Sequence, residues 1–328
     1  MSTIFVTGGA GYIGSHVVKA LLKRGHCPIV FDNLQTGHRE AVKGALFIRG
    51  DLNDQAGMKE VFRSHSIESA MHFAADCLVG ESVRNPLKYF NNNVKNGIQL
   101  IEIMTYFGIN KIVFSSSAAV YGEPTEVPIQ ENHPCHPTNP YGETKWIFER
   151  VLHTLDQTGK MAYVSLRYFN AAGADPSGEL GEDHSEETHL IPIGLLAAMS
   201  GKPVSIFGKD YDTPDGTCIR DYIHVADLAQ AHILALERLE AGGASGIYNL
   251  GNGNGYSVTD VINSIKRVTG KKVLTVDSPR RPGDPARLVA SSEKIKAELG
   301  WNPEYPGLER IIETAWEWHR NHPEGYND

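Results

Sequence analysis

The chain has 328 residues, of which 41% are hydrophobic and 21% charged, a composition typical of soluble globular proteins with one or two lobes. A formal net charge of −8 argues against nucleic acid or an anionic membrane as the main partner, and no apolar run reaches the length of a membrane span. The four cysteines form no Cys-x-x-Cys pair, which favours a reduced, cytoplasmic setting. The fourteen histidines match neither of two metal patterns, metal-ligand spacing with cysteine or a His-Glu-x-x-His run, so we expect no metal centre.

A glycine-rich turn separates the first predicted strand from the first predicted helix. Residues Thr3–Thr7 are apolar and β-branched, and the apolar residues after the glycines recur at helical spacing. Gly8 or Gly9 permits a tight turn, Gly11 lets backbone approach a pyrophosphate, and Gly14 lets the helix pack closely on the strand. Because strand, turn and helix occur in this order, the pattern predicts a dinucleotide site at the helix N-terminus.

Two further predicted strands end in carboxylates. Cys27–Asp32 ends in Asp32, which lies 18 residues after Gly14, close to the spacing at which an acid binds the adenosine ribose hydroxyls. An acid at this place repels a 2′-phosphate, so the sequence favours NAD over NADP. Leu46–Asp51 ends in Asp51, which we expect near the adenine amine.

Alternating strands and helices continue through the chain. Ser69–Ala75 is a fourth predicted strand, Lys111–Ser115 a fifth, Val164–Asn170 a sixth, and Gly246–Leu250 a further parallel one. The alternation predicts an α/β fold with a doubly wound parallel (Rossmann) sheet. We expect residues 1–170 to form the NAD-binding domain, with its sheet completed by segments around 220–250. Residues 171–328 would then form mainly a smaller, mixed α/β substrate lobe.

A second group of polar residues follows the fifth predicted strand. Ser117 lies just after it, at the edge of the sheet where ligands bind, and Pro140 opens a helix with Tyr141 and Lys145 on one face. A nearby ammonium and a positive nicotinamide would both favour the tyrosine phenolate, which suits a general base. By itself, the Tyr-x-x-x-Lys spacing fits an exposed pair without chemistry equally well. Together with Ser117 and the glycine turn, it indicates a catalytic set.

The second half of the chain offers candidate nucleotide contacts. Phe207 could contact a base, and the guanidinium groups of Arg220 and Arg281 could bind phosphates. For either arginine alone, a surface salt bridge is an equally good interpretation.

Taken together, these features resemble the extended short-chain dehydrogenase/reductase superfamily. The resemblance rests on the glycine turn, Asp32, Asp51, the Ser117/Tyr141/Lys145 set and Arg167–Asn170. Later stretches narrow it to the UDP-glucose 4-epimerase family: His72–Ala74, Gly80–Ser82, Gly216–Val225 and Arg280–Asp284.

The resemblance implies an isomerase that interconverts UDP-galactose and UDP-glucose through a 4-keto sugar, with tightly held NAD regenerated in each cycle. Tyr141 would exchange the proton of the sugar 4-hydroxyl, Ser117 would hydrogen-bond the same oxygen, and Lys145 would hold the nicotinamide ribose and depress the Tyr141 pKa. The helices near Val94–Phe107 and Trp146–Leu155 carry more apolar positions than one sheet face needs, which favours a homodimer over the alternative that they simply pack on the sheet and a neighbouring helix.

The resemblance also implies two sets of binding residues. The set expected at the cofactor is Gly8, Gly11, Tyr12, Ile13, Gly14, Asp32, Asn33, Asp51, Leu52, Phe73, Ala74, Ala75, Asn92, Ser115, Tyr141, Lys145, Tyr168 and Phe169. The set expected at the UDP-sugar is Ser117, Tyr141, Asn170, His189, Leu190, Phe207, Arg220, Arg281, Asp284 and Leu288.

Three positions depart from the family pattern. Cys77 stands where some members carry lysine, so a side-chain contact to the cofactor is not expected there. His189 stands where an asparagine is common near the substrate phosphates. Leu288 stands where several members have a tyrosine beside the sugar, and the smaller leucine leaves room for the 2-acetamido group of UDP-N-acetylgalactosamine or UDP-N-acetylglucosamine.

Other functions remain open from the sequence. Nucleotide-sugar dehydratases resembling this chain carry an Asp-Glu pair where Ala118 and Ala119 stand here, so elimination lacks its proton shuttle. A UDP-uronate epimerase is harder to exclude. A non-catalytic NAD sensor would have little reason to keep both Tyr141 and Lys145.

Overall fold

The structure is a computed structural model that describes residues 1–281 and 284–327. Its strands, in chain order, are β1 (Thr3–Thr7), β2 (Cys27–Asp32), β3 (Leu46–Arg49), β4 (Ser69–His72), β5 (Lys111–Ser115), β6 (Ala162–Tyr168), β7 (Asn170–Ala172), β8 (Val204–Phe207), β9 (Ile219–Arg220), β10 (Tyr222–His224), β11 (Gly246–Leu250), β12 (Tyr256–Ser257), β13 (Thr275–Ser278) and β14 (Arg287–Leu288). Its α-helices are α1 (Tyr12–Lys23), α2 (Gln55–Ser64), α3 (Val79–Arg84), α4 (Pro86–Tyr89), α5 (Asn96–Tyr106), α6 (Pro140–Gln157), α7 (Leu190–Ser200), α8 (Val225–Glu240), α9 (Val258–Thr269), α10 (Glu293–Leu299) and α11 (Leu308–Asn321).

The central sheet has seven strands in the order β11-β6-β5-β4-β1-β2-β3, and each neighbouring pair is parallel. The order runs outward from β1 in both directions, so the predicted doubly wound parallel sheet is confirmed. The predicted third and fourth strands end earlier than expected, at Arg49 and His72, because the residues after them turn out of the sheet. The sixth ends at Tyr168, because Asn170 pairs instead with Tyr222 of β10.

Alternate residues of each strand feed two different cores. In β1, Ile4 and Val6 pack on one face of the sheet with apolar residues of α1 and α8, whereas Phe5 packs on the other face with residues of α2, α5 and α6. All three side chains are fully buried. This burial on both faces explains why the predicted strands read as continuous apolar runs.

A third core belongs to the second half of the chain. It brings together buried apolar residues of α7, α9 and α11, including Leu195, Ile265 and Ile311. Short strands border it, with β8 paired to β13, and β9 lying between β12 and β14. Among the described residues, no helix is both long and apolar enough to cross a membrane.

Candidate active site

The strand order places β1 next to β4, so their carboxyl ends are adjacent. From β1 the chain continues to β2 on one side of the sheet centre, and from β4 it continues to β5 on the other side. In open α/β sheets, ligands bind at the carboxyl ends of the strands next to such a switch. Here those ends carry Gly8 after β1, Asp32 at the end of β2, Phe73 after β4 and Ser115 at the end of β5. The predicted site residues of the first half of the chain therefore meet at one edge of the sheet.

The glycine turn has the shape that a pyrophosphate requires. A Cβ atom on Gly8 would lie 2.5 Å from the Ala74 nitrogen, and one on Gly14 would lie 2.2 Å from the Gly8 oxygen, so both positions need glycine for packing. A Cβ on Gly11 would meet only the Gly8 oxygen, at 3.5 Å. Gly11 is also the N-cap of α1 and has no side-chain cap, which leaves the helix N-terminus open to an anion. This part of the chain fits NAD.

The two residues that follow Gly11 have different surroundings. Tyr12 donates a hydrogen bond from its hydroxyl to the Gly173 carbonyl oxygen at 2.7 Å, and burial raises the pKa of its phenol. Ile13 packs against the core on the α1 side of the sheet. Tyr12 therefore ties the glycine turn to the segment that leads into the second half of the chain.

Asp32 is held in place by backbone groups. Its two carboxylate oxygens accept hydrogen bonds from the N–H groups of Ala10 at 3.0 Å and Leu34 at 2.8 Å. Burial raises its pKa, although both hydrogen bonds act in the opposite direction. Asp51 accepts a hydrogen bond from the Asn33 side chain at 2.8 Å. Asn33 and Asp51, both predicted to contact the cofactor, therefore form one polar pair.

Apart from Asn92, the remaining residues of the predicted cofactor set lie at or shortly after the carboxyl ends of β3, β4, β5 and β6. Ala74 donates its N–H to the Thr7 carbonyl oxygen at 3.2 Å, which draws the loop after β4 onto the glycine turn. The Tyr168 hydroxyl lies 2.5 Å from the Ser115 hydroxyl, and burial raises the Tyr168 pKa to about 12. The others are either buried or half-buried: Leu52, Phe73, Ala75, Asn92 and Phe169.

The start of α6 sets the position of the predicted catalytic tyrosine. Asn139 caps the helix by accepting a hydrogen bond from the Gly142 N–H at 2.9 Å, and Pro140 occupies the first turn, where a missing N–H costs nothing. Tyr141 follows directly and is 9% exposed. Ser117, which follows β5, lies near its phenol and acts to lower the Tyr141 pKa. The structure thus brings Ser117 and Tyr141 together.

Lys145 lies one helical turn after Tyr141 and is 4% exposed. Its ammonium donates a hydrogen bond to the Ser115 carbonyl oxygen at 2.8 Å and lies 5.8 Å from the centre of the Tyr141 ring. Burial lowers the Lys145 pKa to about 8, although Cys77 and Glu149 act in the opposite direction.

The expectation that Lys145 depresses the Tyr141 pKa does not hold for the protein alone. Burial raises the Tyr141 pKa well above its ordinary value, and the hydrogen bond from Ser117 only partly opposes this. The physical reason is that the phenol is removed from water while the Lys145 ammonium points at the Ser115 carbonyl oxygen. Any phenolate in this site therefore depends on charges that a bound ligand brings.

A buried ion pair beneath the catalytic set was missed by the sequence reasoning. The Glu149 carboxylate and the Arg167 guanidinium are each 1% exposed and lie 2.6 Å apart. Glu149 also accepts a hydrogen bond from the Ser116 hydroxyl at 2.5 Å, and Arg167 donates to the Tyr121 hydroxyl at 2.8 Å. Helical spacing indicates that Glu149, four residues after Lys145, lies on the same face of α6, but it does not indicate the pairing with Arg167.

The predicted phosphate and base contacts form one ion pair and one cation–π contact. The Arg220 guanidinium is paired with the Asp284 carboxylate, and the Arg281 guanidinium lies 4.0 Å above the centre of the Phe207 ring. Arg281 is exposed and Arg220 half-buried. Residues 282 and 283, in the middle of the Arg280–Asp284 motif, lie outside the described residues.

Leu288 is connected to the catalytic side through β9. Arg220 pairs with Leu288 across the strands, and Asp221 donates its N–H to the Leu288 carbonyl oxygen at 3.0 Å. The Asn170 side chain donates to the Asp221 carbonyl oxygen at 2.8 Å. Leu288 packs on a small apolar cluster that includes Tyr121, beside the loop of Ser117.

His189 is the N-cap of α7, and Leu190 is the first residue of that helix. The His189 Nδ1 atom lies 2.5 Å from a carboxylate oxygen of the buried Glu182. Burial alone lowers the pKa of an imidazole, but Glu182 outweighs it and raises the His189 pKa well above its ordinary value. The Glu182 carboxylate therefore favours the cationic form of His189, a residue predicted to lie near a substrate phosphate. Cys77, the first of the three departures, is exposed.

Comparison with known proteins agrees with this geometry. Residues 4–251 match the model of the NAD dependent epimerase/dehydratase family. A UDP-glucose 4-epimerase of Halalkalibacterium halodurans is 54% identical over 325 residues, which cover 99% of this chain and 97% of the relative. A crystal structure of a UDP-glucose 4-epimerase superposes with a TM-score of 0.97 at 52% identity, with all of both chains covered.

Two further solved structures that are similar to this chain are described together with a ligand or substrates. The UDP-glucose 4-epimerase of Bifidobacterium longum, in complex with NAD⁺ and UDP, has a TM-score of 0.94 at 38% identity and covers 99% of this chain and 100% of its own. The UDP-Glc/GlcNAc 4-epimerase of Campylobacter jejuni has a TM-score of 0.85 at 41% identity and covers 98% and 100%. The chain therefore belongs to the NAD dependent epimerase/dehydratase family and, within it, to the UDP-glucose 4-epimerases.

Proposed function

We propose that the protein interconverts UDP-galactose and UDP-glucose by inverting the configuration at C4 of the sugar. The observation that carries the proposal is the placement of the buried Tyr141 and Lys145, one helical turn apart on α6, next to the half-buried Ser117 at the carboxyl end of β5. This arrangement presents an acid–base oxygen to a hydroxyl at the edge of the sheet where NAD is expected. NAD, when bound, supplies the oxidising and reducing power for C4.

Each residue of the catalytic set has a separate task. Tyr141 takes the proton of the 4-hydroxyl through its Oη atom and later returns it to the same oxygen. Ser117, close to the Tyr141 phenol, hydrogen-bonds the same sugar oxygen and relays or orients that proton. Lys145, fixed on the Ser115 carbonyl oxygen, provides a positive charge near the phenol and can hold the nicotinamide ribose. Burial of Tyr141 and Lys145 limits the access of water to the reacting centre.

The binding residues divide between the two halves of the chain. We assign the cofactor mainly to residues 1–170, together with the later segments that complete the sheet, and the UDP-sugar mainly to 171–328. His189, Arg220 and Arg281 supply cations for the two phosphates, and Phe207 supplies a ring for the uracil. Tight binding of UDP leaves the sugar free to present either face, because the specific contacts are made to the nucleotide.

A dehydratase activity is disfavoured by the segment after Ser117. Ala118 and Ala119 begin a short 3₁₀ turn and bring no carboxylate to the site. Elimination of water needs an acid and a base of its own, and neither alanine can provide one.

The proposal is tested by turnover without added cofactor. Pure protein should convert UDP-galactose to UDP-glucose in the absence of added NAD, as measured by chromatography of the sugar nucleotides. Denaturing the same sample should release NAD in roughly equimolar amount, because Asp32 and the glycine turn hold it through purification. Release of NADP, or no nucleotide from a fully active sample, would show that the cofactor assignment is wrong.

Leu288 leads to a prediction on the breadth of substrates. We propose that UDP-N-acetylgalactosamine and UDP-N-acetylglucosamine are also interconverted, because leucine leaves space beside C2 that a tyrosine would fill. Leu288→Tyr should lower kcat/KM for the acetamido sugar about 10–200-fold relative to UDP-galactose, the range expected for a small steric misfit. Leu288→Met, of similar volume, is the control. Equal losses on both sugars, or a wild-type protein inert toward the acetamido sugar, would contradict this role.

We also propose that the protein acts as a homodimer in the cytoplasm. An open surface groove is lined by the half-buried apolar residues Phe90, Val94 and Ile98, at and just before the start of α5. Partly exposed apolar residues are expected on a face that a second copy of the chain covers. All four cysteines are free, which suits a reducing compartment. Light scattering on the purified protein would give twice the chain mass for a dimer and the single chain mass otherwise.

A further inference from the structure

Four side chains next to α7 converge on one point. Glu182, His184, Glu187 and His189, here named the Glu182 cluster, each turn one potential ligand atom inward, and these atoms all lie within 4.8 Å of one another. The His184 Nδ1 atom lies 3.4 Å from a carboxylate oxygen of Glu182 and 3.4 Å from one of Glu187. The His189 Nδ1 atom lies 3.4 Å from Glu187 and 2.5 Å from Glu182.

These separations are close to those of a tetrahedral metal site. With metal–nitrogen and metal–oxygen bonds of about 2.0–2.2 Å, the ligand atoms around tetrahedral Zn²⁺ lie about 3.3–3.6 Å apart. The two distances from the His184 Nδ1 atom, to Glu182 and to the Oε2 atom of Glu187, are already 3.4 Å. The His189 Nδ1 atom lies closer to Glu182, because that contact is a direct hydrogen bond, and its 3.4 Å contact with Glu187 is to the other oxygen, Oε1. Tetrahedral binding would need the His189 imidazole to move away from Glu182.

The cluster is also built on fixed backbone. One carboxylate oxygen of Glu187 accepts the N–H groups of Thr188 and His189, both at 2.7 Å, which leaves its other oxygen toward His184. The Glu182 carbonyl oxygen accepts a hydrogen bond from the Trp318 indole at 3.2 Å, and Trp318 is 1% exposed. The ligands are thus held before any ion binds, which lowers the entropy cost of binding one.

Charge balance and ligand type point to the same class of ion. The Glu182 side chain is only 4% exposed and that of Glu187 10%, so both carboxylates need compensating positive charge. The two carboxylates carry a charge of −2. Two imidazolium groups would balance this charge, and so would one divalent cation bound by two neutral imidazoles. Two nitrogen and two oxygen ligands suit Zn²⁺ and its neighbours in the transition series, whereas Mg²⁺ and Ca²⁺ prefer oxygen ligands alone.

We propose that the Glu182 cluster binds one divalent transition-metal ion of the Zn²⁺ class, which braces the segment between β7 and α7. This site includes none of Ser117, Tyr141 and Lys145, but it shares His189 with the residues assigned to the substrate phosphates. Its pattern is Glu-x-His-x-x-Glu-x-His, which contains neither cysteine nor the His-Glu-x-x-His run. The expectation of no metal centre rested on those two patterns alone.

Equilibrium dialysis against Zn²⁺ tests the site directly. Protein made without a histidine tag and stripped with a chelator should take up one Zn²⁺ per chain with saturable affinity, and Zn²⁺ should raise its melting temperature. Both effects should reach a plateau at one equivalent. No saturable uptake by the folded wild-type protein would overturn the proposal.

Variants locate the ion within the chain. Glu187→Gln, which keeps the shape of the side chain, and His184→Gln should each weaken Zn²⁺ binding more than tenfold. Removing a residue that only hydrogen-bonds a metal ligand already costs about 10–100-fold in affinity, and these variants remove a ligand itself. His153→Gln, on the exposed surface of α6, is the matched control and should bind as the wild type does. Circular dichroism without metal checks that each variant is folded. Unchanged binding in both cluster variants would assign the ion to other residues and overturn the proposal.

Discussion

Replacing Tyr141 with phenylalanine is expected to lower kcat for UDP-galactose by about two to four orders of magnitude, the usual contribution of a positioned acid–base group. The ring remains, so its packing at the start of α6 is kept, and only the phenol oxygen beside Ser117 is lost. Without it, the 4-hydroxyl has no partner to take its proton in a site to which water has limited access. Steady-state kinetics on the purified variant gives the effect.

Substrate binding should survive this change, because the phosphates and the uracil are assigned to residues of the second half of the chain. The Kd for UDP, measured by calorimetry, should stay within about threefold of the wild-type value, well under the tenfold that 1.4 kcal/mol represents. Tyr106→Phe is the control, since Tyr106 is 77% exposed and lies on a different helix. Near-normal turnover by Tyr141→Phe would mean that another group is the base.

Replacing Arg167 with methionine should have the largest effect on stability. The variant leaves the Glu149 carboxylate buried without its cation, and breaking such a pair from one side costs about 3–5 kcal/mol of unfolding free energy. The Tyr121 hydroxyl also loses the donor at 2.8 Å. Urea titration followed by circular dichroism measures the change.

The double variant Glu149→Leu with Arg167→Met shows whether Arg167→Met loses stability because Glu149 is left without its cation or because packing is lost. Removing both members of a buried ion pair is often close to neutral, so the double variant should be more stable than Arg167→Met alone. Ser116 loses its acceptor in the double variant, so full recovery is not expected. An unfolding free energy for Arg167→Met equal to that of the wild type would contradict the proposed cost, as would a double variant less stable than the single one.

The sheet was predictable because its signals are local and repeated. Strands buried on both faces appear as apolar runs, and the bounds of β1, β2, β5 and β11 agree with the predicted segments to the residue. The ends of β3 and β4 were overestimated, because the predicted segments continue to Asp51 and Ala75, beyond the point where the hydrogen-bonded ladder stops. The sequence pattern carries no information on where a ladder ends.

The candidate site was predictable only in part. The positions of Tyr141 and Lys145 follow from helical spacing within α6, but the direction of the tyrosine pKa depends on burial, which is a property of the whole fold. The pairing of Glu149 with Arg167 joins a helix to a strand 18 residues further along the chain, and no short motif encodes it. The same holds for Glu182, whose burial under Trp318 requires the last helix of the chain to be in place.

The central claim is that a single site removes hydrogen from C4 of the sugar and returns it to the opposite face of the same molecule. UDP-galactose carrying deuterium at C4, incubated in ordinary water with pure protein and no added NAD, tests this most directly. The account predicts UDP-glucose that retains the deuterium at C4, as read by mass spectrometry and NMR. Product that has lost the label to water, or no product from folded protein that contains NAD, would contradict it.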